Sequence, residues 1–298
     1  MPSPPPSPAA GVVPSALPVA SDGAAATGGS AVLVGAGDIG RCGTAGPETT
    51  ARLVAGVLAA HPGATVFTAG DNAYPVGSAS DFERCYEPTW GAFRDRTRPA
   101  AGNHDWLTTD AAGYRGYFGA AAGPGGATWY AYDAGTWRVL VLDSDCGSVG
   151  GCDPASPQGR WLAAELADRP AACTLAIWHR PRFSSGAHGS SGAVAPLFAA
   201  VAAAGVDLVV NGHDHDYERF ARLAPDGTPD PAGTREFVVG TGGAEPYRFG
   251  EPLAGSEARV TGVPAVLVLE LGVGGYAWTL LGGPDARVLD AGRDGCTR

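Results

Sequence analysis

The sequence predicts an α/β fold in which two mixed sheets lie face to face with helices on their outer sides, a four-layer α-β-β-α sandwich. Three observations carry this expectation. Short apolar runs end in polar clusters and are usually followed by a helical stretch, the pattern of a largely parallel sheet covered on both faces. The last third of the chain is poor in helices, and its apolar runs read as antiparallel strands of a second sheet. Of the 298 residues, 45% are hydrophobic and 17% charged, which permits a substantial core and departs from the composition of a disordered chain.

Residues 1–30 are dominated by Pro, Ala, Ser and Gly with Asp22 as the one charge, so they read as a disordered tail or linker ahead of a domain over 31–298. Strands are expected at Ala31–Ala36, Ala64–Ala69, Trp137–Leu142, Thr174–Trp178, Val206–Val210, Glu236–Val239 and Ala265–Leu271. Tyr276–Leu281 and Ala286–Leu289 follow in the antiparallel part. Helices are expected at Glu48–Ala60, Ser80–Phe93, Gln158–Leu166 and Ala193–Ala204. No apolar run is long enough for a transmembrane helix, and no basic segment leads into an apolar one at the N-terminus, so neither a membrane span nor a signal peptide is visible.

The formal net charge is -10, and no basic cluster relieves it, which argues against a nucleic-acid partner. All basic residues are Arg, and with 46 Gly and 25 Pro the bias resembles that of a GC-rich bacterial coding sequence. Six cysteines, none in a CxxC pair, point to a disulfide-bonded, secreted or extracytoplasmic protein rather than a thiolate zinc site. Connectivity is not fixed by the sequence. The pairing expected is Cys42 with Cys85, Cys146 with Cys152 across a short Gly-rich loop, and Cys173 with Cys296.

The chemistry lies just after the strands. Gly37-Asp38-Ile39-Gly40, Gly70-Asp71-Asn72-Ala73-Tyr74, Gly102-Asn103-His104-Asp105, Trp178-His179-Arg180-Pro181 and Gly212-His213-Asp214-His215 each follow an apolar run or open a turn. In a parallel sheet these positions share one edge. Taken singly, an Asp there is commonly a helix cap and a His a hydrogen-bonded core residue. Taken together, the carboxylates, imidazoles, amide and phenol form a donor set suited to Fe, Zn or Mn. Arg180 and Arg182 read equally as phosphate contacts or as surface ion pairs. Asp105 and Asp214 read as orienting groups for imidazoles or as structural caps.

The series GDIG, GDNAY, GNHD, WH and GHDH resembles the calcineurin-like metallophosphoesterase superfamily, and its purple acid phosphatase branch in particular, over about residues 31–245. The wider superfamily has Asp-x-His in the first motif. Here Gly40 stands in place of that His, and Tyr74 supplies the replacement donor, an exchange the purple acid phosphatases make. The resemblance implies Fe(III) held by Asp38, Asp71, Tyr74 and His215. It implies a divalent Fe, Zn or Mn held by Asp71, Asn103, His179 and His213, with Asp71 shared. It also implies outer residues His104 and His188 as proton donors or phosphate contacts.

The function expected from it is hydrolysis of small phosphate monoesters, acid phosphatase type, by a metal-activated hydroxide at a dinuclear centre. The alternatives are a phosphodiesterase or nucleotide pyrophosphatase using the same site, and a non-catalytic metal- or partner-binding domain. A monomer is expected.

Overall fold

The computed structural model describes residues 29–297, so the tail expected at 1–30 lies, apart from its last two residues, outside the described residues. The chain builds β1 (Ala31–Ala36), α1 (Gly46–Ala60), β2 (Thr65–Ala69), the single turn α2 (Ala79–Asp81), β3 (Thr97–Ala100), α3 (Ala112–Phe118), β4 (Tyr130–Ala134) and β5 (Trp137–Val141). It continues with α4 (Pro157–Asp168), β6 (Cys173–Ile177), α5 (Ala195–Ala203), β7 (Leu208–Asn211), β8 (Tyr217–Leu223) and β9 (Thr234–Val239). Four strands close it: β10 (Ser256–Val260), β11 (Ala265–Gly272), β12 (Gly275–Gly282) and β13 (Arg287–Gly295).

Two mixed sheets result. The first has six strands in the order β13-β12-β11-β1-β2-β3, and the second has seven in the order β10-β8-β9-β7-β6-β5-β4. This corrects one expectation. Only the last three strands, β11 to β13, extend the first sheet, because β11 pairs antiparallel with β1 (Val34 opposite Val268), while the antiparallel strands β8 and β10 do join the second. The second sheet comes from the middle of the chain. Apolar periodicity marks a strand but does not name its partner.

Strand alternation explains the layering. Trp137, Val139 and Val141 of β5, with Leu175 and Ile177 of β6 and Leu208 and Val210 of β7, face the core between the sheets. Leu140, Ala176 and Val209, the residues in between, point outward into a second core completed by Leu162 of α4 and Leu197, Phe198 and Val201 of α5. These strands bury both faces, so they read as unbroken apolar runs. On the first sheet, α1 buries Leu53, Val54 and Val57 and packs on β1, β11 and β12. Four strands carry no such run: β3, β4 and β10 lie at sheet edges and β8 lies beside one. Edge strands tolerate Pro and charge, as in Thr-Arg-Pro-Ala of β3.

The helix expected at Ser80–Phe93 breaks into α2, a π turn at Phe82–Tyr86 and a 3-10 segment at Trp90–Arg96. Pro88 cannot continue a helix, and Cys85 is drawn aside by its bond to Cys42. All three expected disulfides are present. Cys173–Cys296 spans 123 positions and ties the chain end after β13 to the start of β6, joining the two sheets. Among the described residues no helix is long and apolar enough to cross a membrane.

Removing that tie with Cys173→Ala and Cys296→Ala together is expected to cost about 2–4 kcal/mol in denaturant unfolding. Burial of Glu236 gives a pH signature. Its carboxylate accepts the Arg182 (2.7 Å) and Phe183 (3.1 Å) N–H groups, and burial pushes its pKa from 4.5 up to about 8. The folded chain therefore keeps a proton that the unfolded chain releases between those values, so stability falls as pH rises from about 4.5 to about 8. Melting temperatures across that range are expected to decline, and Glu236→Gln to flatten the decline.

Candidate metal centre

The carboxyl ends of β1, β2 and β3 in one sheet face those of β6 and β7 in the other, and the loops leaving them interlock. Asp38 N–H donates to the Gly70 carbonyl (3.0 Å), Gly40 N–H to Asn72 (2.9 Å), and Tyr74 N–H back to Gly40 (2.9 Å). The first two motifs thus run side by side, which sets Asp38 beside Asp71 and Tyr74. Two glycines are required by closeness. A Cβ on Gly40 would stand 2.6 Å from the Asn72 carbonyl oxygen, and one on Gly102 would stand 2.2 Å from the Asp71 nitrogen. Three donors adopt positive φ, which is strained for side chains of L configuration: Asp38 at 62°, Asp71 at 51° and His213 at 75°.

Six of the seven expected donors form two groups that meet at one oxygen. The Tyr74 hydroxyl lies 2.8 Å from Asp38 Oδ1, 3.1 Å from Asp71 Oδ2 and 3.1 Å from His215 Nε2. Asp71 Oδ2 also lies 3.2 Å from His179 Nε2, which is 3.2 Å from His213 Nδ1. Asp71, His179 and His213 offer donor atoms mutually close enough for one ion. The seventh donor, Asn103, has a buried Oδ1 with no hydrogen-bond partner. A buried amide oxygen left bare is costly. Here it belongs to the residue preceding His104, whose N–H donates to Asp71 Oδ1 (2.8 Å).

The donor chemistry fits cations. His179 Nδ1 is held by the Ala69 carbonyl (2.8 Å) and His215 Nδ1 by the Glu245 carbonyl (2.7 Å), so each turns Nε2 inward, where a cation could take the place of its proton. Burial, then the neighbouring His179 and Arg180, push His213 down to about 2, which keeps it neutral as a ligand must be. Burial followed by the Asp38 and Asp71 charges raises the Tyr74 phenol well above its ordinary value. Burial acts to raise Asp71, but the adjacent His179 and His104 override it and hold the carboxyl well below the usual range. A cation would reverse the pressure on the phenol and relieve the crowding of Asp38, Asp71 and Tyr74.

The remaining residues sort by contact. His104 gives Nδ1 to the Pro75 carbonyl (2.6 Å) and turns Nε2 toward the donors, 3.9 Å from Asp71 Oδ2, with a third of its side chain open to solvent. His188 is exposed and stacks on His213 with ring centres 4.4 Å apart. Its loop is pinned by buried carboxylates: Glu236 holds Arg182 and Phe183, Glu218 holds Ser185 N–H (2.7 Å), and Asp214 holds His188 N–H (2.7 Å). Asp214 therefore orients backbone, not an imidazole. Asp105 likewise receives Gly102 N–H (2.9 Å) and the Asn72 amide (2.9 Å), bracing two donor loops. Arg180 reaches into the site, with Nη1 3.0 Å from His213 Nε2. Arg182 does not; its guanidinium lies over Phe183.

Tyr247, stacked on His215, was not foreseen, because it follows a loop with no local signal. Cys173, Asp207 and Cys296 also cluster, but the two sulfurs are bonded to each other.

A family model described as calcineurin-like phosphoesterase matches residues 32–217. The chain is 33% identical over 172 residues to Uncharacterized protein Rv2577 of Mycobacterium tuberculosis, a stretch covering 47% of this chain and 32% of that protein. It is 33% identical over 121 residues to Purple acid phosphatase 18 of Arabidopsis thaliana, covering 39% of this chain and 26% of the relative. The chain thus spans about a third or less of the length of these curated relatives. Among solved structures, purple acid phosphatase PPD1 from yellow lupin (Lupinus luteus) seeds aligns at TM-score 0.71 and 18% identity, over 90% of this chain and 54% of that one. GAP50, the anchor in the inner membrane complex of Plasmodium, aligns at TM-score 0.67 and 16% identity, over 90% and 89%. At these identities the structural likeness concerns the fold.

Added zinc(II) is expected to raise the melting temperature of metal-stripped protein in proportion to the logarithm of its concentration. Asp71→Asn is expected to abolish that rise, and acid to weaken it, since the ligands must shed protons to bind. Differential scanning fluorimetry checks all three.

Proposed function

Because the chain belongs to the calcineurin-like phosphoesterase family, we propose that it hydrolyses phosphate monoesters at a dinuclear centre of purple acid phosphatase type. One observation carries this reading: Asp71 Oδ2 stands between two donor groups, 3.1 Å from the Tyr74 hydroxyl and 3.2 Å from His179 Nε2. Asp38, Asp71, Tyr74 and His215 would hold Fe(III), for which anionic oxygen donors are the natural partners. Asp71, Asn103, His179 and His213 would hold a divalent Fe, Zn or Mn. The bound pair would supply Lewis-acid charge for a phosphoryl group and a water of lowered pKa.

The chain's own groups do the rest. His104 would donate a proton to the leaving oxygen. With its Nδ1 turned to the Pro75 carbonyl, Nε2, the nitrogen that faces the donors, would be the one to exchange a proton with the substrate. His188, exposed and braced through Asp214, would meet the phosphate from the opposite side. The net charge of -10 disfavours anionic substrates at a distance, so affinity has to come from the centre itself. Three disulfides support an extracytoplasmic site of action.

Metal analysis paired with a visible spectrum tests the centre: two metals per chain with a charge-transfer band, the band lost in Tyr74→Phe, are expected. His104→Ala is expected to lower kcat on a chromogenic monoester by about 100-fold with the metals retained. The matched diester, carrying the same leaving group, is expected to react more slowly. A faster diester reaction would replace the monoester reading with the diesterase one. A protein that holds both metals and cleaves neither ester would sink both.

A further inference from the structure

Tyr247 stands outside the seven donors, yet its ring touches residues on both sides of the centre. It lies face to face with His215, with ring centres 4.0 Å apart and planes 10° apart. It meets His188 edge-on at 5.1 Å. His188 in turn stacks on His213 at 4.4 Å. A continuous row, His215–Tyr247–His188–His213, thus joins one imidazole from each donor group. The backbone locks the tyrosine in the row: its N–H donates to the His215 carbonyl (3.1 Å), and its own carbonyl accepts the Thr261 hydroxyl.

His215 needs this support. Its Nδ1 is held by the Glu245 carbonyl at 2.7 Å, which fixes the tautomer but leaves the ring free to rock about that single bond. Rocking would move Nε2 away from Asp38 Oδ1, now 3.3 Å distant, and from the Tyr74 hydroxyl. A parallel aromatic face at van der Waals distance closes that freedom. Glu245 is itself anchored by Arg41 at 3.1 Å, so the bond and the face are built from neighbouring residues of one short segment.

We infer that Tyr247 is a positioning residue for the metal centre: its ring, not its hydroxyl, fixes the plane of His215 and steadies His188 against His213. The inference rests on the metal-centre reading above and adds a group outside the donor set. A partner that orients a ligand in this way governs how long the metal is kept.

The test uses the whole protein loaded with zinc(II), with release of zinc to excess chelator followed by a zinc-responsive dye. Melting curves of the metal-free proteins first verify that the variants are folded. Tyr247→Leu, which keeps apolar bulk but no ring face, is expected to release zinc about 10-fold faster than wild type. Tyr247→Phe, which restores the face, is expected to release it at the wild-type rate. If Tyr247→Leu keeps zinc as long as wild type, the inference fails alone. If Tyr247→Phe loses zinc as fast as Tyr247→Leu, it also fails, because the hydroxyl is then the acting group. If wild-type protein takes up no zinc, the metal-centre reading and the inference fall together.

Discussion

Two carboxylates and a phenol buried against one another set the terms for this molecule. Asp38 and Asp71 both lie within 3.1 Å of the Tyr74 hydroxyl, and all three side chains are nearly closed to water. Negative charge confined in this way repels itself strongly in a medium of low polarizability. The imidazoles of His179 and His215 offset part of it, which is why their inner nitrogens crowd the carboxylate oxygens. The arrangement is stable only if the surrounding fold is rigid enough to hold it, and useful only if positive charge can enter.

The rigidity comes from the two-sheet architecture. Asp38, Asp71, Tyr74 and Asn103 follow strands of the first sheet, while His179, His213 and His215 follow strands of the second. The donors therefore meet across the seam between sheets, and any sliding of one sheet past the other would separate them. The shared core of β5, β6 and β7 against the first sheet resists sliding, as does the covalent link from β6 to the chain end. Left-handed backbone at Asp38, Asp71 and His213 is tolerated because the interlocked loops leave those residues no alternative.

Much of this was legible in the sequence, and the limits have physical causes. The candidate donors were readable because most sit just after an apolar run, and Asp38, Asp71, Asn103 and His213 each follow a glycine, so local pattern carried the information. The disulfide partners came out as expected, and so did the layers. Besides the broken helix over 80–93, three things did not. The pairing of β11 with β1 joins segments from opposite ends of the chain, and periodicity is blind to partners. The edge strands β3, β4 and β10 are not buried on both faces, so they lack an apolar run. Tyr247 acts through a ring contact made possible by the path of the loop over 240–246, a property of three-dimensional placement with no composition or spacing of its own.

The backbone at Gly40 leaves no room for a side chain. The Asn72 carbonyl occupies the space that any side chain at position 40 would need. A histidine reintroduced there, as in the wider superfamily, would have to push apart the paired loops that also present Tyr74. A side chain at position 40 and the loop pairing that presents Tyr74 therefore compete for one space.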